Sequence, residues 1–145
     1  MGRLNKRRLN KLADYLDALP ARKFDLDHWI ASYENGYPRE DGKKYKCGTT
    51  ACALGHAGLI PSFRRAGLKT EMAPNATQGE VTLDGLEHGT HAAEIFFDLR
   101  SEEADYLFLP EYYGKRQGPK TVAGRIRRLI RDGQLPESFY VDFYN

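Results

Sequence analysis

With 145 residues, 41% of them hydrophobic and 29% charged, the chain has the makeup of a globular domain with its own core, and the unit expected is 1–145. No apolar run approaches the roughly 20 residues a membrane-spanning helix requires. Charge also separates Leu4 from Leu9 where a signal peptide would be apolar, so the expected setting is cytoplasmic, without a membrane partner and with the cysteines as thiols.

In chain order, Leu9, Leu12, Ala13, Leu16 and Leu19 recur at helical spacing, which predicts a helix over 3–19 stopped by Pro20. Phe24 to Tyr33 reads as a shorter second helix with Asp25 as its cap. From Glu34 to Lys46, Gly, Pro, Asn and charge predict an exposed loop. A central helix is expected over 49–60, capped by Thr49 or Thr50, followed by one more turn over 61–66 that ends at Gly67. Leu68–Met72 and Glu80–Leu83, separated by turn formers, form the best hairpin candidate. Helices follow over 89–99, over 102–108 with Ser101 as cap, and from Pro119 to Arg131 with Gly133 closing it. Phe139, Val141 and Phe143 alternate with polar-tipped residues, a pattern that can add a strand to the hairpin. The fold class predicted is α+β, mainly α-helical: a compact single domain of about six helices with a small antiparallel hairpin or sheet.

The charges are uneven. Bases crowd 3–11 and 39–46, and seven more lie between Lys115 and Arg131, whereas 80–111 carries nine acids and only Arg100 as a base. If the basic segments meet in space, they make a face that attracts phosphates; the plainer reading is solvated helix surface.

The stretch Cys47-Gly48-Thr49-Thr50-Ala51-Cys52-Ala53-Leu54-Gly55-His56-Ala57-Gly58 holds both cysteines among small residues. Gly48, Ala51, Gly55 and Gly58 suit close backbone packing, which makes the segment a structural pivot or the floor of a site. Three chemistries are open to it. Gly48, Thr49 and Thr50 at a helix start, with Lys44 and Lys46 upstream and Arg125 and Arg128 as helpers, offer amides, hydroxyls and charge to an anion, although no phosphate-binding P-loop pattern is present. Alternatively Cys47, just ahead of a helix, is a nucleophile served by His91 or His88. Thirdly, Cys52 and His56, four apart, together with His88 and His91, three apart, supply four zinc-type ligands without the familiar paired-cysteine spacing. No motif implies a cofactor. The arginines from Arg125 to Arg131 lack any nucleic-acid reader pattern, which argues against a nucleic-acid partner.

The run CGTTACALGHA, with LPARKFDLDHW before it and AAEIFFDL and LFLP after it, resembles an uncharacterised family of small bacterial and phage proteins. Their pattern is C-G-T-x-A-C-x-x-G-[HW]-A, and the likeness runs from about Leu9 to Ile130. The resemblance implies a shared fold and a phage or bacterial origin, and it carries no catalytic role. The expected function is non-catalytic binding, with a small phosphorylated ligand such as a nucleotide signal in host–phage conflict as the expected target. The alternatives are a cysteine-dependent hydrolase or transferase and an inhibitor that occupies a host protein, with homo-oligomerisation open.

Overall fold

The computed structural model describes residues 4–29, 31–34, 37–38, 49–72, 78–114 and 118–139. The fold is α+β and mainly helical. Its α-helices include α1 (Lys6–Ala18), α2 (Ala53–Ala57), α3 (Pro61–Arg65), α4 (Gly89–Phe97), α5 (Ser101–Phe108) and α6 (Pro119–Asp132). Two three-stranded antiparallel sheets accompany them. One has the order β2-β1-β3, from β1 (Ala31–Glu34), β2 (Tyr37–Pro38) and β3 (Thr49–Thr50). The other has the order β4-β5-β6, from β4 (Leu68–Glu71), β5 (Glu80–Leu83) and β6 (Glu87–His88).

α1 starts where Asn5 Oδ1 accepts the Arg8 N–H at 3.1 Å, a side-chain cap of the usual kind. Its apolar stripe, Leu9, Leu12, Ala13 and Leu16, is fully buried. The segment before it is tied to the end of α4, because the Leu4 and Asn5 N–H groups donate to the Asp98 and Phe97 carbonyls at 2.9 and 2.7 Å. Arg8 completes the join: Nη1 donates to Phe96 O at 2.9 Å and the guanidinium lies 4.0 Å from the centre of the Phe96 ring. A cation at these last carbonyls also complements the helix dipole.

α6 begins with Pro119 and ends at Gly133, whose φ of +75° suits a glycine C-cap. Val122, Ala123, Ile126 and Leu129 face inward. The main core draws residues from Leu4 to Phe139 and centres on Phe63, Phe96, Phe97 and Phe108. Neighbouring ring centroids in this group lie 5.0 to 5.9 Å apart, mostly edge to face.

The hairpin of β4 and β5 forms as the alternation predicts, in the register Leu68↔Leu83 to Glu71↔Glu80. Its third strand is β6, brought round by a tight turn in which Asp84 and Gly85 have φ of +54° and +72°. Positive φ at both positions belongs to the Asp-Gly hairpin signature, which the sequence reading passed over. The strand expected at the tail falls mainly on 140–145, outside the described residues.

Two expected helices are corrected. The helix over 24–33 is absent: a 3₁₀ turn (Ala21–Lys23) leads to a parallel bridge between Phe24 and Ala51, and the chain then enters β1. Asp25 contributes to this by accepting the Asp27 N–H on its own carboxylate at 3.0 Å, a local turn that competes with helix. The helix over 49–60 shrinks to Ala53–Ala57, because Thr49 and Thr50 pair with Ser32 and Ala31 as strand. Ser101 is the first residue of α5 rather than its cap; Glu103 Oε1 accepts the Arg100 N–H at 2.8 Å there.

Candidate functional site

The cysteine-containing stretch folds around α2, which is buried along its whole length. Five residues cannot sustain a helix alone, so its neighbours hold it. Cys52 is the N-cap, with Sγ accepting the Gly55 N–H at 3.4 Å. The 23–28 segment clasps the approach: Ala51 N–H donates to Lys23 O at 3.2 Å, Asp25 N–H to Ala51 O at 3.0 Å and Cys52 N–H to His28 O at 2.8 Å. On the opposite side Thr70 Oγ1 donates to Gly55 O at 2.6 Å, and Arg64 Nη1 donates to the carbonyls of Gly58 and Thr70 at 3.0 and 3.2 Å. A Cβ at Gly55 would be driven into the Trp29 carbonyl, and one at Gly58 into Thr70. The small residues do what their size suggested, letting two backbone segments close on one turn of helix.

Within this clasp the reactive groups are spent on the fold. Cys52 is 1% exposed, and burial pushes its thiol up to about 12, Asp25 adding to the effect while local amides oppose it. The thiol therefore stays protonated near neutral pH and lacks the thiolate a nucleophile needs. His56 Nε2 donates to Lys23 O at 2.7 Å, which leaves Nδ1 to accept the Tyr15 hydroxyl at 3.1 Å. That tautomer is assigned from its bonding partners. Burial lowers the His56 pKa; the bond to Lys23 O opposes this, and the Lys23 charge adds to the lowering. His56 is thus a rivet joining α1, the 3₁₀ turn and α2.

The four alternative zinc ligands do not converge. Cys52 and His56 are buried, whereas His88 and His91 are exposed and paired with Glu80 at 2.8 Å and Glu87 at 2.9 Å. Among the described residues no three His, Cys, Asp or Glu side chains gather in a metal-holding group. Cys47, the alternative nucleophile, lies outside the described residues, and so does any approach of it to His88 or His91.

The expected anion site divides in the same way. Lys44, Lys46 and Gly48 lie outside the described residues. Thr49 and Thr50 belong to β3 and precede the true N-cap, so they do not present the start of a helix. Pro38 of β2 and Thr49 of β3 flank β1 from opposite sides at adjacent residues, Tyr33 and Ser32. Thr50 Oγ1 is buried and has no hydrogen-bond partner among the described residues. Arg125 is not available as a helper. Its Nη1 and Nη2 donate to Tyr106 O and Tyr112 O at 2.7 and 2.8 Å, and its guanidinium lies 4.1 and 3.7 Å from the Tyr106 and Tyr113 ring centres. Arg128 stands exposed on the outer face of α6.

One pair escaped the sequence reading. His28 Nδ1 donates to Asp25 Oδ2 at 2.7 Å, with the two side chains 26% and 24% exposed. A carboxylate that fixes one imidazole nitrogen orients the other, an arrangement common at sites of proton transfer. The D-x-x-H spacing in Phe24-Asp25-Leu26-Asp27-His28 was the available signal, masked by the helix expected there. Compared with protein-family models, curated proteins and solved structures, the chain matches none.

Proposed function

We propose that the chain acts by binding rather than by turnover, and that it takes up a small phosphorylated ligand, such as a nucleotide signal, on the stretch from Lys44 and Lys46 to Thr49 and Thr50. The observation that carries this reading is the Thr50 hydroxyl, buried and without a partner among the described residues. A buried polar atom left so costs on the order of 1–3 kcal/mol, which a ligand oxygen would recover. Just upstream in sequence stand Arg39, Lys43, Lys44 and Lys46 against only Glu40 and Asp41, a local excess of positive charge that suits phosphate. The non-catalytic part is supported by the protonated, buried Cys52 and by His56, whose two nitrogens are both engaged. A sequestering role in host–phage conflict accords with the family resemblance.

Native mass spectrometry of protein purified gently from its producing cells tests this. The expected result is an excess of a few hundred daltons that vanishes on denaturation and is missing from a Thr49→Ala, Thr50→Ala double variant with unchanged melting. A folded double variant that keeps the full excess removes the proposed site. Rapid alkylation of Cys47 near neutral pH, with no mass excess, would favour the cysteine-dependent enzyme instead.

A further inference from the structure

α6, which carries one basic run, packs along α1, which carries another. Lys120, at the start of α6, donates to Asp17 O near the end of α1 at 3.0 Å. Arg127, two turns further on, reaches Asp14 at 2.7 Å and Asp17 at 2.5 Å. The helices therefore run antiparallel, so that Arg131 at the far end of α6 lies toward the N-terminal half of α1, where Lys6, Arg7 and Lys11 are exposed, while Arg128, next to Arg127, is exposed on the outer face of α6. The two halves of this face differ in balance. At one end Asp14 and Asp17 neutralise Arg127; at the other Asp132 pairs with Arg131 at 2.9 Å and also feels the Arg128 charge, one acid against two arginines. Asp98, whose carbonyl accepts the Leu4 N–H, is an exposed acid beside the N-terminus of α1, and the exposed Glu137 lines one pocket with Asp132. Among the described residues Lys6, Arg7, Lys11 and Arg128 have neither a hydrogen-bond nor an ion-pair partner. Arg7 and Lys11 are moreover a like-charge pair one helical turn apart, an arrangement that disfavours the helix it sits on.

From this face we infer that the solvent side of α1 and α6 docks the phosphate backbone of a nucleic acid, without regard to base sequence. Charge complementarity supports the choice, and the absence of apolar anchors narrows it. The exposed large hydrophobics among the described residues, Leu86 and Ile95, lie on the β5–β6 turn and on α4, while the apolar stripes of α1 and α6 are spent in the core. An amphipathic helix bound to a bilayer inserts an apolar face, and a protein interface centres on buried aromatic or aliphatic anchors. A phosphate backbone asks only for positioned cations. No reader element is required, so the missing sequence motif does not count against it. The inference uses none of the residues of the proposed ligand stretch and stands or falls separately.

Fluorescence anisotropy of a labelled mixed-sequence DNA duplex, titrated with the full chain over a salt series, tests it. Four phosphate contacts predict that log K falls against log salt with a slope of about −3.6. Arg7→Gln, Lys11→Gln, Arg128→Gln together should weaken binding at least tenfold at low salt and bring the slope to about −0.9. Arg65→Gln, Lys69→Gln, which removes exposed bases on α3 and β4, should leave both unchanged. If the triple variant does not fold, Arg128→Gln alone should flatten the slope by about 0.9. The proposal is overturned by absence of duplex binding at low salt, or by a slope that survives the α1–α6 substitutions. Loss of binding only on Lys43→Gln, Lys44→Gln, Lys46→Gln would overturn it too. So would binding to phosphatidylserine-containing vesicles with the duplex ignored.

Discussion

Replacing Gly55 with alanine sets local propensity directly against tertiary packing. In an isolated helix this change gains up to about 1 kcal/mol, because alanine loses less backbone freedom. In α2 the added Cβ meets the Trp29 carbonyl, so backbone rather than a flexible side chain has to retreat. Next to it, His28 O accepts the Cys52 N–H at 2.8 Å, and Gly55 O accepts the Thr70 hydroxyl at 2.6 Å; either bond suffers when the segments part. Overpacking costs about 1–3 kcal/mol, and losing one buried hydrogen bond about 1–3 kcal/mol. Set against the propensity gain, Gly55→Ala should destabilise by about 1–5 kcal/mol. Gly124→Ala in α6 serves as the control, since a Cβ there meets nothing within 4 Å. It should stabilise by about 0.5–1 kcal/mol. Urea unfolding followed by the fluorescence of the single tryptophan, Trp29, reports on the contact in question. If Gly55→Ala proved as stable as the parent, the close approach of α2 to the 23–29 segment could not be what holds the site.

Two further substitutions probe the same framework. His56 is neutral in the fold and its pKa is lowered by burial, so the unfolded chain takes up a proton first as pH falls. The stability this contributes is complete above the unfolded value of about 6.5 and declines below it until the folded value is passed; urea midpoints at pH 7.5 and 5.5 should fall further for the parent than for His56→Gln, and equal falls would refute the assignment. Arg125→Lys forfeits the two-carbonyl fork and the stacking between Tyr106 and Tyr113, so it should cost about 2 kcal/mol by urea unfolding. Arg128→Lys should stay within about 0.5 kcal/mol, and a comparable loss there would show that Arg125 is not the clip described.

The amino-acid sequence by itself determined the elements whose stability is largely local and whose pattern is long. α1, α4, α5 and α6 follow from apolar spacing, Pro119 and Gly133, and the β4–β5 hairpin from alternation. The packing role of Gly55 and Gly58 was legible in their size, though not what they pack against. Tertiary structure alone decided the rest. β1 and β3 are short pieces that exist by pairing with one another, and propensity could not separate them from the helices expected there. α2 persists because Trp29, Thr70 and His28 enclose it. The same enclosure moved Cys52 and His56 from candidate chemistry to scaffold. Whether a cysteine or histidine is reactive depends on its solvent and hydrogen-bond partners, and for these two the partners come from α1, the 23–28 segment and α2 itself. The ion pairs of Arg127 on α6 with Asp14 and Asp17 on α1 are likewise a product of antiparallel packing, since charges about a hundred residues apart in sequence meet only once the helices do.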